Sequence, residues 1–490
     1  MAREPRTAYL RAFCLAGLVG LGMGLASFGI AEETSPTGAA FAVRALYAPG
    51  HFGNSYEVMG TNEMRRLLAE ARAWGFNRYG DWFDMEDCSD PFAQKNLYQL
   101  GHAMWERKKA NYQAAQSLGF ACDLIITPNH VYVDQCREDL AAVQGGRIFG
   151  QLICPSNPEA RRIILADYEN LFRDLAAAGV RLSAVVTAPY DFGGCGCDRC
   201  RPWILTFAQL SQEIHAVAER YHPSVELHMI GWWWEPEEHR MFAEWVDEHM
   251  PGGVRRMYLH IPYGNTVTAD VPLPRGCERS AFVHIGYADQ AQPRDVYGHF
   301  GPVVAPNRLE KTVRDLVASG CTGVMAYSEG VFDDVNKALL AGLGSGEYAS
   351  ADEVLKAYAR RYFGADEATA AAWADWLRAW GLPFQRDADQ AARTVPPAKR
   401  PSDDPWRLEQ WLRKSELFSL HAQIAAENDW TPARLALVDR FWNAQERLQR
   451  EVWGLGQLRH IFARKYTPLP WYASWAKHQA QQAATAADQQ

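Results

Sequence analysis

The chain has 490 residues and a formal net charge of −8 at pH 7, so it can hold one large domain with a smaller one appended. The mildly acidic charge disfavours nucleic acid and anionic membranes as partners, because both bind to basic surfaces. Tryptophan is frequent, with 18 residues. This frequency is typical of proteins that stack flat aromatic faces on sugar rings.

The N-terminal segment has the pattern of a secretory signal. Three arginines within residues 1–11 precede an apolar run at residues 12–30, and the small residue Ala31 follows. This pattern predicts a signal peptide at residues 1–31, with a single membrane anchor as the alternative. We therefore expect a secreted or periplasmic protein with no membrane partner after signal removal. No other segment approaches the roughly 20 apolar residues that a membrane span needs.

Eight short segments rich in β-branched and aromatic residues follow, and helical patterns lie between them. Alternation of strands and helices predicts parallel strands, and eight parallel strands close into a (β/α)8 TIM barrel, here at residues 32–345. A doubly wound open sheet is the alternative, but no G-x-G-x-x-G motif follows the first strand. The predicted strands lie at residues 42–49, 75–84, 122–133, 182–190, 225–234, 254–263, 280–288 and 322–329.

After residue 345 the pattern becomes purely helical, which predicts an α-helical domain at residues 346–467. Ser350 and Glu353 have the spacing of a capping box, and Thr431 with Pro432 has the pattern of a helix start. The final segment, residues 468–490, is rich in alanine and glutamine. Its composition predicts a disordered tail.

Acidic residues at strand ends are the candidate catalytic groups, because TIM-barrel enzymes place their chemistry at the carboxyl ends of the strands. Asp191 ends the apolar fourth strand, where burial suits a general acid. Glu329 has the same position on the eighth strand, and Glu235 follows the fifth. Asp191 could instead cap a turn, and Glu235 could begin a solvated helix. Asp333 and Asp334 fit better as first-turn acids of a helix.

Aromatic and polar side chains accompany these acids at the strand ends. Two carboxylates on different strands, with aromatic faces to hold the sugar ring, suit cleavage of a glycosidic bond. Consecutive strand residues point to opposite faces, so at least one residue of the triplet at 232–234 should lie in the core. The candidate substrate-binding residues are Tyr47, His51, Tyr79, Asp81, Trp82, Asn129, His130, Tyr190, Trp232, Trp234, Tyr263, His284, Tyr287 and Tyr327.

Cys195, Cys197 and Cys200 form a C-x-C-x-x-C motif after the fourth strand. In an exported protein disulfides are the first expectation, with Cys154 bonded to one member of the motif. A structural zinc site completed by Cys154 or His215 is the alternative. Either arrangement would brace the loop after the fourth strand, and no catalytic metal or cofactor is expected. Further predicted pairs are Cys88 with Cys136 and Cys277 with Cys321.

Four segments carry a family resemblance: CPSNPEARRIIL, PYDFGGCGCDRC, YSEGVFDDVNKAL and EVLKAYARRYFG. Together they resemble secreted bacterial (β/α)8 glycoside hydrolases, nearest to the α-glucuronidase and β-N-acetylhexosaminidase-like barrels with a trailing helical domain. The resemblance implies that Asp191 is the acid. Hexosaminidases have an Asp-Glu pair there, whereas Phe192 follows in this chain. The resemblance therefore implies the class and not the sugar.

The expected function is an exported glycoside hydrolase that cleaves an oligo- or polysaccharide by a two-carboxylate acid/base mechanism. The alternative from another class is a non-catalytic carbohydrate-binding barrel. The cysteine motif alone also suggests a zinc-bearing barrel transferase that exchanges bases in RNA. The export signal and the acidic charge disfavour that third function.

Overall fold

The computed structural model describes residues 38–50, 55–83, 85, 88–93, 98–148, 150–190, 193–261, 270–286, 301–328, 330–381, 405–454 and 471–488. Residues 37–490 belong to one compact unit. Several predictions fall outside the described residues and stay predictions. They are the signal peptide at residues 1–31 and the candidate site residues His51, Asp191, Tyr263, Tyr287 and Glu329.

Eight parallel strands form a closed barrel in chain order. Pairing of the first strand with the eighth, from Val43 opposite Gly323 to Tyr47 opposite Tyr327, closes it. The predicted TIM barrel is confirmed, and the open sheet is excluded. The strands are β1 (Val43–Tyr47), β2 (Arg78–Trp82), β3 (Ala121–Ile126), β4 (Leu182–Thr187), β5 (Glu226–Gly231), β6 (Arg256–Ile261), β7 (Glu278–His284) and β8 (Gly323–Tyr327).

Helices connect most of the strands. Asn157 begins one of them, where its side chain accepts a hydrogen bond from the Glu159 amide (3.0 Å) and Pro158 takes the first helical position. Between β6 and β7 the described residues 270–277 contain no helix. The helices of this part are α1 (Ser55–Val58), α2 (Thr61–Ala73), α3 (Leu100–Ser117), α4 (Pro158–Ala177), α5 (Trp203–Glu219), α6 (Pro236–His249), α7 (Pro306–Ala318) and α8 (Asp334–Ser345).

Strand alternation divides the apolar residues into two layers. On β1, Ala45 and Tyr47 point into the barrel, whereas Leu46 packs against the helices. The outer layer, between strands and helices, is the larger. The inner layer comprises Ala45, Tyr47, Trp82, Ile125, Ala184, Val186, Ile230, Tyr258, Phe282 and Met325.

Buried ion pairs lie at the N-terminal ends of the strands, at the floor of the barrel. Arg78 donates two hydrogen bonds to Asp123, at 2.9 and 2.5 Å, and both side chains are buried. Nearby, Arg256 pairs with Glu278. This end of a TIM barrel contributes stability, whereas the chemistry lies at the opposite end.

The C-terminal helices form the predicted helical domain, whose core is rich in tryptophan. Trp376 contacts Trp373, Trp380 and Trp411 with ring centroids 5.4 to 6.1 Å apart. Part of the high tryptophan content therefore fills this core and is not available to a ligand. Ser350 and Thr431 cap helices as expected. The helices are α9 (Ala351–Tyr362), α10 (Ala370–Ala379), α11 (Trp406–Ala426) and α12 (Pro432–Arg447).

The predicted disordered tail contains a helix, α13 (Tyr472–Asp488), so this expectation is corrected. Trp471 is buried and donates to His421 Nδ1 (3.1 Å), and Trp475 contacts Trp442 at 6.0 Å. Two tryptophans thus anchor an alanine-rich segment with high helix propensity. Among the described helices, none is long and apolar enough to cross a membrane.

Candidate active site

The C-terminal ends of the strands surround a mouth lined with aromatic rings and imidazoles. Tyr47 contacts Tyr327 at 5.2 Å, and Tyr327 contacts His284 at 5.0 Å. His284 lies 5.1 Å from Trp232. Side chains from four strands or their ends, β1, β5, β7 and β8, thus form a continuous wall. These side chains and their aromatic neighbours at the same end of the barrel form what we call the mouth cluster. It comprises Tyr47, Trp82, His130, Trp232, His260, Phe282, His284 and Tyr327.

Six of the predicted binding residues belong to the mouth cluster, and sequence analysis missed His260 and Phe282. Both missed residues occupy inward positions on their strands. Phe282 precedes the predicted His284 by two residues, and His260 follows the inward-facing Tyr258 by two. The period of two along a strand is the signal that could have found them.

The tryptophan triplet after β5 points in three directions. Trp232 faces the mouth, and its Nε1 has no hydrogen-bond partner among the described residues. Trp233 is 40% exposed with a φ of 57° and stacks on Trp232 at 6.1 Å. Trp234 packs against Phe207 and Phe242 in the outer layer. The expected core member is therefore Trp234, although it was also a predicted substrate contact.

A side cavity of about 380 Å³ adjoins the mouth between the ends of β5 and β6. His260 belongs to both, because it lines the cavity and also contacts Trp232 at 4.1 Å. The cavity therefore extends the mouth beyond the barrel axis. Its other lining residues include Trp233, Trp234, His239 and Asp270.

Three imidazoles of this region, His239, His260 and His284, are neutral at pH 7. Burial lowers the pKa of His260 to about 4 and that of His239 to about 4. Burial, with the nearby His260 and Arg308, also holds the pKa of His284 well below its ordinary value. A neutral imidazole has one donor and one acceptor nitrogen, so it can hydrogen-bond to a hydroxyl in either direction.

Tyr79 and Asp81, predicted to bind substrate, face the helices and not the mouth. Asp81 Oδ1 accepts from Lys108 Nζ (2.5 Å), and Asp81 Oδ2 accepts from the Tyr79 hydroxyl (2.9 Å). Trp82 points into the barrel at this end of β2. Because successive strand residues alternate between the two faces, Asp81 and Tyr79 point outward, toward the helices. Their prediction as substrate contacts is corrected: they form a buried polar link between β2 and α3.

Asn129 holds the loop after β4. Its Nδ2 donates to Gly194 O (2.7 Å) and Ile153 O (3.1 Å), and its Oδ1 accepts from Gly194 N (2.9 Å). The amide is fully buried. Asn129 was a predicted substrate contact, and the structure gives it a bracing role instead.

Tyr190 lies directly before Asp191 in the chain and is held from two sides. Its hydroxyl donates to Glu238, and the Arg147 guanidinium lies 3.8 Å from its ring centroid. Arg147 also pairs with Glu238 (2.9 Å). Burial and the Glu238 carboxylate raise the pKa of Tyr190 above its ordinary value. Tyr190 is therefore fixed in its position and protonated.

Gly193 follows residues 191 and 192 and lies close to Thr127, just after β3, and to Pro189, in the segment after β4. A Cβ atom there would come 2.4 Å from Thr127 Cγ2 and 3.0 Å from Pro189 O. Gly194 has a φ of 126°, which favours glycine. Glycine is therefore favoured at residue 193 by this close approach and at residue 194 by its backbone conformation.

The residues on both sides of Glu329 are anchored by a buried polar network. Ser328 Oγ donates to Asp333 Oδ1 (2.8 Å), and Gly330 O accepts from Lys337 Nζ (2.8 Å) and the Tyr56 hydroxyl (3.1 Å). Lys337 also forms an ion pair with Asp333. The backbone that flanks Glu329 is thus fixed by charge-assisted hydrogen bonds.

Asp333 and Asp334 have structural partners, in keeping with the expected first-turn role. Asp334 binds Arg407 at 2.7 Å and so ties α8 to α11. Burial alone would raise the pKa of Asp334, but the charges of Arg407 and Lys337 lower it.

Glu235, the third predicted catalytic acid, is exposed and precedes α6 as its N-cap residue. Its amide donates to Glu238 Oε2 (2.7 Å). This position matches the alternative of a solvated helix start.

The cysteine motif meets Cys154. The four Sγ atoms of Cys154, Cys195, Cys197 and Cys200 lie within 4.8 Å of one another, and all four residues are free cysteines. The expected disulfide from Cys154 is therefore absent. His215 lies elsewhere and bonds to Val225 O (2.8 Å).

The other two predicted disulfides differ in outcome. Cys277 and Cys321, both within the described residues, are free cysteines, so their predicted bridge is absent. Cys88 is buried and Cys136 is exposed. That pair stays a prediction.

No protein-family model matches the sequence, and no curated protein matches it. Solved structures with a similar chain course include a GH53 catalytic domain from Ignisphaera aggregans, at 13% identity over 60% of this chain and 86% of that one, with a TM-score of 0.40. A GH5_18 structure from Streptomyces cattleya in complex with GlcNAc shares 13% identity over 63% and 80%, with a TM-score of 0.39.

The α-amylase from Geobacillus thermoleovorans, complexed with acarbose, shares 11% identity over 63% of this chain and 79% of that one, with a TM-score of 0.38. The eight-stranded barrel is defined by its own closed strand pairing.

Proposed function

We propose that the protein is an exported glycoside hydrolase that cleaves an oligo- or polysaccharide with Asp191 and Glu329 as its two carboxylates. The mouth cluster at the carboxyl end of the barrel is the observation that carries the proposal. Trp232 and Tyr327 present flat, partly exposed aromatic surfaces there, and neutral imidazoles lie beside them. This combination suits the apolar faces and hydroxyl edges of a sugar ring.

The order of the strands supports two carboxylates that act from opposite sides. β4 and β8, which precede Asp191 and Glu329 in the chain, are separated by three strands in either direction around the barrel. A separation of roughly 6.5 to 9.5 Å between the two carboxyl groups would leave room for a water molecule and give inversion, whereas about 5 to 5.5 Å would give retention. In this proposal Asp191 protonates the leaving oxygen, and Glu329 acts on the opposite face of the sugar as the nucleophile or as the base that activates water.

The anchored neighbours of both acids support the same roles. Tyr190 and Gly193 flank the first acid, and Ser328 and Gly330 flank the second, and all four are held by packing or buried hydrogen bonds. General acid–base catalysis requires positioned groups. Fixed flanking residues are consistent with that requirement.

A panel of aryl glycosides, including glucuronides and N-acetylhexosaminides, tests the activity on the purified mature chain. We expect release of the aryl group from at least one member, and NMR of the first-formed sugar identifies inversion or retention of the anomeric centre. Silence across the panel, combined with calorimetric binding of oligosaccharides, would favour the carbohydrate-binding barrel instead. Cleavage after Ala31, found by N-terminal sequencing of the exported protein, would support export.

A further inference from the structure

We propose that Cys154, Cys195, Cys197 and Cys200 bind one structural zinc ion beside the mouth. Cys154 Sγ lies 3.6 Å from Cys200 Sγ and 3.7 Å from Cys197 Sγ. Four Zn–S bonds of about 2.3 Å at tetrahedral angles separate the sulfur atoms by about 3.8 Å. Two of the six sulfur–sulfur distances thus match a tetrahedral tetrathiolate site, and all six are at most 4.8 Å.

The same distances argue against disulfides within the cluster. A disulfide joins two sulfur atoms at about 2.05 Å and would divide the four residues into pairs. Here Cys154 lies at nearly equal distances from two partners, and all four Sγ atoms converge within 4.8 Å. Convergence of four sulfur atoms on one point is the geometry that a metal ion requires.

The surroundings of the cluster fit a closed structural site. Cys195 and Cys200 are fully buried, and Cys154 is nearly so. The Val143 amide donates to Cys195 Sγ (3.5 Å), and Ser156 Oγ lies 3.0 Å from Cys200 Sγ. Such outer hydrogen bonds stabilise thiolate ligands. Four protein ligands leave no open position, so the ion would hold the fold and not catalyse a reaction.

The site joins two segments that are distant in the sequence. Cys154 lies just before α4, and the other three ligands lie in the loop between β4 and α5. As four Zn–S bonds form, four thiol protons pass to water, so the site is held by coordination and involves no oxidation. The ion would therefore fasten the loop that carries Asp191 to the segment before α4, together with the Asn129 contacts to Gly194.

Metal analysis by plasma mass spectrometry of the full mature chain, purified under reducing conditions without chelators, tests the proposal. We expect about one zinc ion per chain. Cys154→Ser and Cys197→Ser should each reduce the zinc content at least fivefold. Cys277→Ser is the control, because it removes a free cysteine outside the cluster, and it should leave the zinc content unchanged.

A measurement on the wild-type chain covers the case in which the variants do not fold. Titration with an organomercurial that modifies thiols should release about one equivalent of zinc, detected with a chromogenic chelator. A wild-type chain that contains no zinc and takes none up from solution would overturn the proposal. So would one iron ion per chain, or peptide mapping of protein purified and alkylated without reductant that finds any of the four cysteines in a disulfide. None of these readouts depends on glycosidase activity.

Discussion

Trp232 and His260 face each other at the ends of β5 and β6, with ring centroids 4.1 Å apart and planes inclined by 46°. His260 lines the side cavity, and the contact joins it to the partly exposed indole at the barrel mouth. Because the pKa of His260 is about 4, the pair is uncharged at neutral pH. An uncharged aromatic pair is suited to a neutral sugar ring.

Replacing this indole should weaken substrate binding more than it weakens the fold. Trp232→Ala should lower kcat/KM about tenfold on any glycoside that the protein hydrolyses, because loss of a stacking face costs about 1.4 kcal/mol. Trp232→Phe should recover part of the loss. Tyr472→Ala, on the exposed face of α13, is the control and should leave kcat/KM unchanged. Equal effects of Trp232→Ala and Tyr472→Ala would contradict a role for Trp232 in binding.

The close approach of Gly193 to Thr127 predicts a rescue experiment. Gly193→Ala should lower activity and thermal stability, since the added Cβ would lie 2.4 Å from Thr127 Cγ2. The double variant with Thr127→Ser removes that methyl group and should recover part of both losses. Gly145→Ala serves as the control, because nothing lies within 4 Å of its added Cβ. No recovery in the double variant would show that this contact is not the cause.

The buried pair at the barrel floor predicts a large stability difference between two similar substitutions. Asp123→Asn should reduce the free energy of unfolding by about 3 to 5 kcal/mol, because it leaves the buried Arg78 charge uncompensated. Asp139→Asn breaks an exposed pair with Arg137 and should have little effect. Urea unfolding of both variants measures the difference. Similar midpoints would argue against a stabilising role for the floor.

Buried neutral histidines predict a loss of stability in acid. His239 has a folded-state pKa of about 4, below the value of about 6.5 expected in the unfolded chain. Its contribution is therefore fully present above pH 6.5 and is lost as the pH falls towards 4. Between pH 7 and 5 the loss from one such group is about 2 kcal/mol. Urea unfolding at pH 7 and pH 5 measures the loss of unfolding free energy for each protein. This loss should be about 2 kcal/mol smaller in His239→Leu than in the wild type. An identical loss would contradict burial of a neutral imidazole there.

The strands and the barrel could be predicted from the sequence because they depend on local periodicity. All eight predicted strands are present, and within the described residues each is shorter than predicted. The face of the sheet to which each strand residue points is harder to predict. The strand-end position of Tyr79 and Asp81 predicts substrate contact, but the direction of their side chains depends on which neighbour, here Trp82, points into the barrel.

Features that depend on contacts between residues far apart in the chain could not be predicted from local sequence patterns. From the sequence, the motif at Cys195–Cys200 favours disulfides over a metal site, and only the fold shows that Cys154 Sγ lies close to all three sulfur atoms of the motif. The helix α13 similarly depends on the burial of Trp471 against the helical domain. Composition alone predicts disorder there.

Turnover and binding, measured on the same Asp191→Asn and Glu329→Gln proteins, test the central claim most directly. We expect kcat on the best glycoside of the panel to fall at least about a thousandfold in each variant, since each loses one half of the acid–base pair. Calorimetric affinity for the product sugar should stay within about threefold of the wild type, because the mouth cluster is intact. Unchanged turnover in either variant would contradict the assignment of these two carboxylates as the catalytic pair.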